Sequence, residues 1–191
     1  PFVLFYRGDL SLLKNTVRLA VVGSREPSDY GLKATKVLLE ELLSESETVI
    51  VSGLALGIDK MAHQTALNMK KKTIAVLGNG LDNCYPLTNY DLFEEIGEKG
   101  LLISEYPPFV KADAQNFPKR NRLISAFSKA ILVTDAKYKS GTRITVRHGL
   151  EQGKDIFAVP HDIFSESYCN LLIKEGAALI SSGKDLIELL F

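Results

Sequence analysis

Leu19-Ala20-Val21-Val22-Gly23-Ser24-Arg25-Glu26-Pro27-Ser28 reads as a strand, a tight turn and the start of a helix. Four apolar residues in a row, with no polar alternation, mark a strand buried on both faces. Gly23 lets the backbone turn sharply, and Ser28 is placed to cap the helix that follows. Tyr30, Ala34, Val37, Leu38 and Leu42 then recur at helical spacing and give that helix one apolar stripe. The same alternation runs down the chain. Further apolar runs stand at Val49–Val51, Thr73–Leu77, Leu101–Ile103, Ile131–Thr134, Ile156–Val159 and, more weakly, Ala178–Ile180. Helical patterns lie between them: Ile58 to Met69, Tyr90–Glu98 with Leu92, Phe93 and Ile96 inward, Asn121–Ser128, Thr142–Gln152 and Asn170–Glu175. This alternation predicts an α/β fold, a three-layer, doubly wound domain on a mostly parallel sheet. Residues 105–120 form the longest stretch without periodicity, and a loop of that length in a compact domain usually carries function.

The 191 residues are 46% apolar and 24% charged, as expected of a globular protein with one sizeable core. No apolar run approaches the ~20 residues of a membrane span. No basic stretch leads into a short apolar one, so no secretory leader is visible. Cys84 and Cys169 lie far apart and outside any CxxC spacing, which suits reduced thiols and a cytoplasmic protein. A start at Pro1 without Met points to a chain trimmed from a longer one. We read residues 1–191 as a single domain, with residues 1–16 as an N-terminal arm.

Charge is unevenly spread. The 23 Lys/Arg and 23 Asp/Glu cancel overall, yet residues 111–147 hold nine basic residues and two acids, Asp113 and Asp135. A localised positive field is the footprint of a polyanion site. At its centre stands Phe117-Pro118-Lys119-Arg120-Asn121-Arg122-Leu123-Ile124-Ser125. An aromatic beside two arginines and an asparagine suits stacking on bases and gripping phosphates.

Three loops follow strands, where open α/β sheets bind ligands. Arg25, in the first, would project over the sheet edge toward a phosphate. The second, Ser52-Gly53-Leu54-Ala55-Leu56-Gly57-Ile58-Asp59, offers glycines and N–H groups to an anion, although the same glycines also serve tight helix–strand packing. It is neither GxGxxG nor a Walker loop, which disfavours a dinucleotide or ATP site. The third places Ser140-Gly141-Thr142 at a helix start. Catalytic patterns are poor. His63 reads as structural, His148 and His161 stand alone, and no HExxH, GxSxG or Cys/His cluster is present. We therefore expect no metal, no cofactor and no catalytic residue.

Together these loops resemble the DNA-processing protein A (DprA/Smf) family, from about Arg18 to Ala177. The resemblance is carried by Gly23-Ser24-Arg25, the Ser52–Asp59 loop with Ala62-His63, Gly78 to Asn89 with Leu81-Asp82 and Tyr85-Pro86, Ser104-Glu105-Tyr106-Pro107, the Phe117–Ser125 segment, Ser140-Gly141, and Asn170–Ile173 with Gly176-Ala177. It implies an extended Rossmann-like domain that binds single-stranded DNA without strong sequence preference. It also implies a recombination mediator that protects incoming DNA and helps load the recombinase RecA in natural transformation, and that forms homodimers. The family's N-terminal helical and C-terminal winged-helix-like domains are not evident in these residues. The implied DNA-binding set is Ser24, Arg25, Gly53, Phe117, Lys119, Arg120, Asn121, Arg122, Ser140 and Gly141. Three positions depart from the family pattern: His161 and Tyr168 stand where glycines are usual, and Thr145-Val146 replaces a Thr-Ala pair. The alternative is a nucleotide-processing hydrolase of the lysine-decarboxylase-like phosphoribohydrolase type. Its PGGxGTxxE motif is not matched, because Ser140–Thr145 lacks the second Gly and the Glu.

Finer expectations follow for the basic segment. Phe117 precedes Pro118, which favours an extended backbone and an outward ring able to stack on a base. Arg120 and Arg122 are two apart and face different ways on a helix. Arg120 is expected at phosphate, with Arg122 bracing to Glu105 or Asp135. The run Leu186–Phe191 is a candidate dimer patch, with packing on its own sheet as the other reading.

Overall fold

The structure is a computed structural model that describes residues 1–14 and 16–191. Asn15, inside the expected arm, lies outside the described residues. Among the described residues, eight strands form one sheet: β1 (Phe5–Gly8), β2 (Arg18–Val22), β3 (Val49–Ser52), β4 (Thr73–Leu77), β5 (Leu101–Ser104), β6 (Ala130–Val133), β7 (Asp155–Ala158) and β8 (Ala178–Leu179). Seven α-helices of the described residues cover it: α1 (Asp29–Glu45), α2 (Ile58–Asn68), α3 (Tyr90–Lys99), α4 (Asn116–Ala126), α5 (Thr142–Glu151), α6 (Tyr168–Lys174) and α7 (Gly183–Leu190). The strand order is β1-β5-β4-β3-β2-β6-β7-β8. All pairings are parallel except β1 with β5. The chain works outward from β2 to β5, then returns to the other side of β2 with β6. That reversal leaves a crevice beyond the carboxyl ends of β2 and β6, the usual ligand position in open α/β sheets.

Continuous apolar strands are what this burial requires. Along β2, Leu19 and Val21 face a core with Leu38, Leu39 and Leu42 of α1, Ile58, Ala62 and Ala66 of α2, and Leu186 and Leu190 of α7. Ala20 and Val22 face the opposite core, with Leu123 and Ile124 of α4, Val146 of α5, and Cys169 and Leu172 of α6. Phe93 and Ile96 of α3 close a third cluster against Ala75, Leu77 and Leu102. The layers are those of a Rossmann-like fold. Two expectations change. Residues 5–8 of the expected arm form an antiparallel edge strand, Phe5 opposite Ser104 and Gly8 opposite Leu101. The helix expected over Asn121–Ser128 begins at Asn116 and so takes in Phe117-Pro118. Among the described residues, no helix is long and apolar enough to cross a membrane.

Candidate nucleic-acid interface

The β2–α1 loop is fixed from beneath by Asp135, two residues past the end of β6. The Ser24 N–H donates to the Asp135 carbonyl at 2.7 Å. The Ser28 N–H and hydroxyl both donate to Asp135 Oδ2, at 2.9 and 2.6 Å. Ser28 is the helix cap that its position predicted, its Oγ accepting from the Gly31 N–H at 3.0 Å. Held this way, the loop presents Arg25 to solvent. The Arg25 guanidinium lies 5.4 Å from the centre of the Phe117 ring.

The β3–α2 loop packs against the first. The Ile58 N–H donates to the Ser24 carbonyl at 3.1 Å. Gly57 has φ +73°, and a Cβ there would stand 2.3 Å from the Ser24 carbonyl oxygen, so no side chain fits. The N–H groups expected to greet an anion are already bonded. Gly53 and Ala55 donate to Asp59 Oδ2 at 3.1 and 3.3 Å. The cradle is filled by the loop's own carboxyl group, and Gly53 is buried. The expectation that Gly53 offers free N–H groups is therefore corrected.

Arg120 is corrected with it. Its side chain turns inward from α4 and is 4% exposed. It donates to the Gly53 carbonyl at 2.8 Å, to the Val76 carbonyl, and through Nε to Asn121 Oδ1 at 3.2 Å. A Cβ on Gly53 would lie 2.7 Å from Arg120 and 2.8 Å from Asp59, so both side chains close on the same glycine. Burial pushes the Arg120 guanidinium down to about 10; Asp59 opposes the shift, and Arg25 adds to it. Burial pushes Asp59 up, against Arg120 and the two N–H bonds. Arg120 is thus an internal brace tying α4 to β4 and to the β3–α2 loop. Arg122 is the second brace, as expected, with its Nη2 at 2.5 Å from Glu105.

Phe117 stands in the first turn of α4, not on extended backbone. Pro118 is tolerated there because the first turn of a helix has N–H groups without intrahelical partners. The ring is half-buried against Gly78, where a Cβ would fall 2.6 Å from Phe117 Cδ1. Tyr85 lies beside it, ring centres 5.3 Å apart and tilted by 32°.

The third loop follows β6. Ser140 Oγ accepts from the Thr142 N–H at 3.1 Å and opens α5. A Cβ on Gly141 would meet nothing within 4 Å, so the amino end of α5 faces open space. These loops enclose one groove of about 650 Å³. Ser24, Arg25, Phe117, Arg120, Asn121, Ser140 and Gly141 all line it. Lys119 is exposed elsewhere, Arg122 is turned to Glu105, and Gly53 lies below. Tyr85, Lys137 and Lys139 also line the groove and were not in the expected set. The two lysines were legible from the basic segment; Tyr85 was legible as part of the Tyr85-Pro86 pair, without a place in the binding set.

The remaining expectations are structural. His63 is buried, with Nδ1 at 2.7 Å from the Thr73 hydroxyl, and burial, aided by Arg120, pushes it down to about 3. Cys84 and Cys169 are free thiols, pushed up to about 11 by burial. The non-glycine residues at 161 and 168 are accommodated. The His161 backbone N–H donates to Asn170 Oδ1 at 2.9 Å, and buried Tyr168 lies under the Arg143 guanidinium at 5.5 Å. The expected dimer patch divides: Leu186 and Leu190 are in the core, while Leu189 and Phe191 stay exposed.

A doubly wound α/β domain with a basic groove at its switch point defines the class. The chain belongs to the DNA recombination-mediator protein A family, whose model matches residues 1–191. It is 45% identical over 189 residues to DNA processing protein DprA of Streptococcus pneumoniae, covering 98% of this chain and 66% of that relative. To DprA of Bacillus subtilis it is 40% identical, covering 98% and 64%. The chain thus spans just under two thirds of the length of these relatives. The solved structure of S. pneumoniae DprA superposes with a TM-score of 0.93 at 44% identity, over 98% of this chain and 66% of that one. The structure of DNA processing protein A from Helicobacter pylori, described for its single-stranded DNA binding mode, gives 0.90 at 33% identity, over 98% and 86%. A molybdenum cofactor binding protein from Rippkaea orientalis, at 19% identity and a TM-score of 0.64, shares the fold, over 92% of this chain and 96% of that one.

Proposed function

We propose that this chain binds single-stranded DNA in the groove between the β2, β6 and α4 segments, as part of a recombination mediator. The observation that carries this reading is the placing of Arg25, Lys137 and Lys139 on one groove with Tyr85 and Phe117. Cations neutralise phosphates and rings take bases, which together suit an unpaired strand. The related H. pylori protein, with its single-stranded DNA binding mode, supports the assignment. In this reading Arg25, Ser24, Asn121, Ser140 and Gly141 contact DNA, and Phe117 lines the groove between Tyr85 and Arg25. Lys119 adds to the field, and Gly53, Arg120 and Arg122 hold the frame.

The wider role rests on family membership. It comprises protection of incoming DNA in the cytoplasm of competent cells, help in loading RecA, action as a homodimer, and no catalysis. Light scattering should give a dimer at tens of micromolar, roughly, where micromolar affinities register; a monomer there sinks that part. The central test is fluorescence anisotropy with a labelled single strand and the matching blunt duplex, beside a nucleotide-hydrolysis assay. The expected result is preference for the single strand and no hydrolysis. Equal affinity for the duplex would remove the single-strand claim, and nucleotide turnover without strand binding would reject the reading in favour of the hydrolase alternative.

A further inference from the structure

The two rings on the groove are not equivalent. Phe117 is enclosed: Gly78 lies against its edge, Arg25 and Arg120 stand 5.4 and 5.8 Å from its centre, and Tyr85 lies alongside. A base reaching that ring would have to displace a neighbour. Tyr85 is 48% exposed, with the Phe117 ring beside it. It lines both the main groove and a smaller cavity of about 60 Å³ shared with Leu56, Pro86 and Arg25.

The surroundings of Tyr85 differ from the rest of the groove. Leu56 is 43% exposed, and Leu87, two residues along, is 74% exposed. The far wall holds Lys137, Lys139, Ser140 and Gly141. One side is cationic and hydroxylated, while the other is apolar and aromatic. A strand laid along the groove can set its phosphates on the first side and turn bases toward the second. Arg25 stands between them, in reach of both a phosphate and the ring pair.

We propose that Tyr85 is a nucleobase-stacking residue of this groove, with Phe117 as the ring that backs it. This rests on the single-stranded DNA reading above. The ligand is one base of a bound strand, purine or pyrimidine, since stacking uses the π face that every base has. Phe117 acts through Tyr85 and through the packing of α4, and so serves as a positioning residue.

The chain contains no tryptophan, so Tyr85→Trp installs a single fluorescent reporter at the site. Oligothymidylate should quench its emission. An abasic oligomer with the same number of phosphates should bind more weakly and leave the emission unchanged. Tyr85→Ala should lower affinity for oligothymidylate about tenfold with an unaltered salt slope, and Tyr85→Phe should restore it. Wild-type affinity in Tyr85→Ala, or unchanged indole emission of the Tyr85→Trp variant at saturation with oligothymidylate, overturns the proposal while leaving DNA binding in place. Failure of the wild-type protein to bind oligothymidylate overturns both.

Discussion

Two loops of this molecule look alike in sequence and do opposite things. The β2–α1 and β3–α2 loops both follow buried strands, both contain glycine, and both open a helix at the same sheet edge. Only the first faces outward. Its frame is held by Asp135 from below, leaving Arg25 exposed. The second is sealed: Asp59 takes the N–H groups of Gly53 and Ala55, and Arg120 takes the Gly53 carbonyl. A glycine turn at a helix start is an anion site only if its donors are free. The open loop depends on the sealed one, because Ile58 bonds the Ser24 carbonyl and the Gly57 backbone abuts it.

If the second loop is structural, its variants should fail in folding before they fail in binding. Asp59→Ala strands the buried Gly53 N–H and the part-buried Ala55 N–H and removes the carboxyl group that opposes the downward shift of Arg120. The cost should be about 3 kcal/mol or more, read as a large drop in the urea midpoint. Near-normal stability with lost DNA affinity would instead make this loop part of the binding surface.

The helix that follows the sealed loop should also give the fold an acid sensitivity. His63 sits at about 3 in the folded state, against an ordinary value of 6.5. A depressed value means that the folded state favours the neutral ring. Its contribution is fully present above about pH 6.5 and drains away as pH falls toward 3. Urea midpoints for wild type and His63→Gln should therefore converge between pH 7 and pH 4.5. Parallel profiles would show that His63 does not titrate on unfolding.

The open loop should behave in reverse. Arg25→Ala should cost about 1–3 kcal/mol in single-strand affinity, from loss of a charge-assisted phosphate contact, with the melting temperature almost unmoved. Smallest of all, Arg122→Ala should leave the salt slope unchanged. It should lower the melting temperature by only a few degrees, since a partly exposed ion pair contributes about 0.2–1 kcal/mol. A clear loss of slope in Arg122→Ala would move this arginine from brace to phosphate contact.

The central strands were legible because each is buried on both faces and so is written as an unbroken apolar run; Thr73–Leu77 matches to the residue. The edge strand Phe5–Gly8 was not, because Arg7 and Gly8 break the run and its pairing partner lies almost a hundred residues away. The groove was legible as charge density and as Arg25. The fate of Arg120 was not, because burial of a guanidinium depends on carbonyls of Gly53 and Val76 that only the assembled sheet brings near. Tyr85 was visible as half of the Tyr85-Pro86 pair, but its place on the groove was not, since that comes from a ring 32 positions along the chain.

The most direct measurement is the salt dependence of single-strand binding for wild type and Arg25→Ala, taken side by side. Each phosphate contact adds about 0.7 to the slope of log affinity against log salt. The wild-type slope should be steep, and that of Arg25→Ala should be shallower by about 0.7. Identical slopes, or wild-type binding indifferent to salt, would contradict a groove that holds DNA by its phosphates.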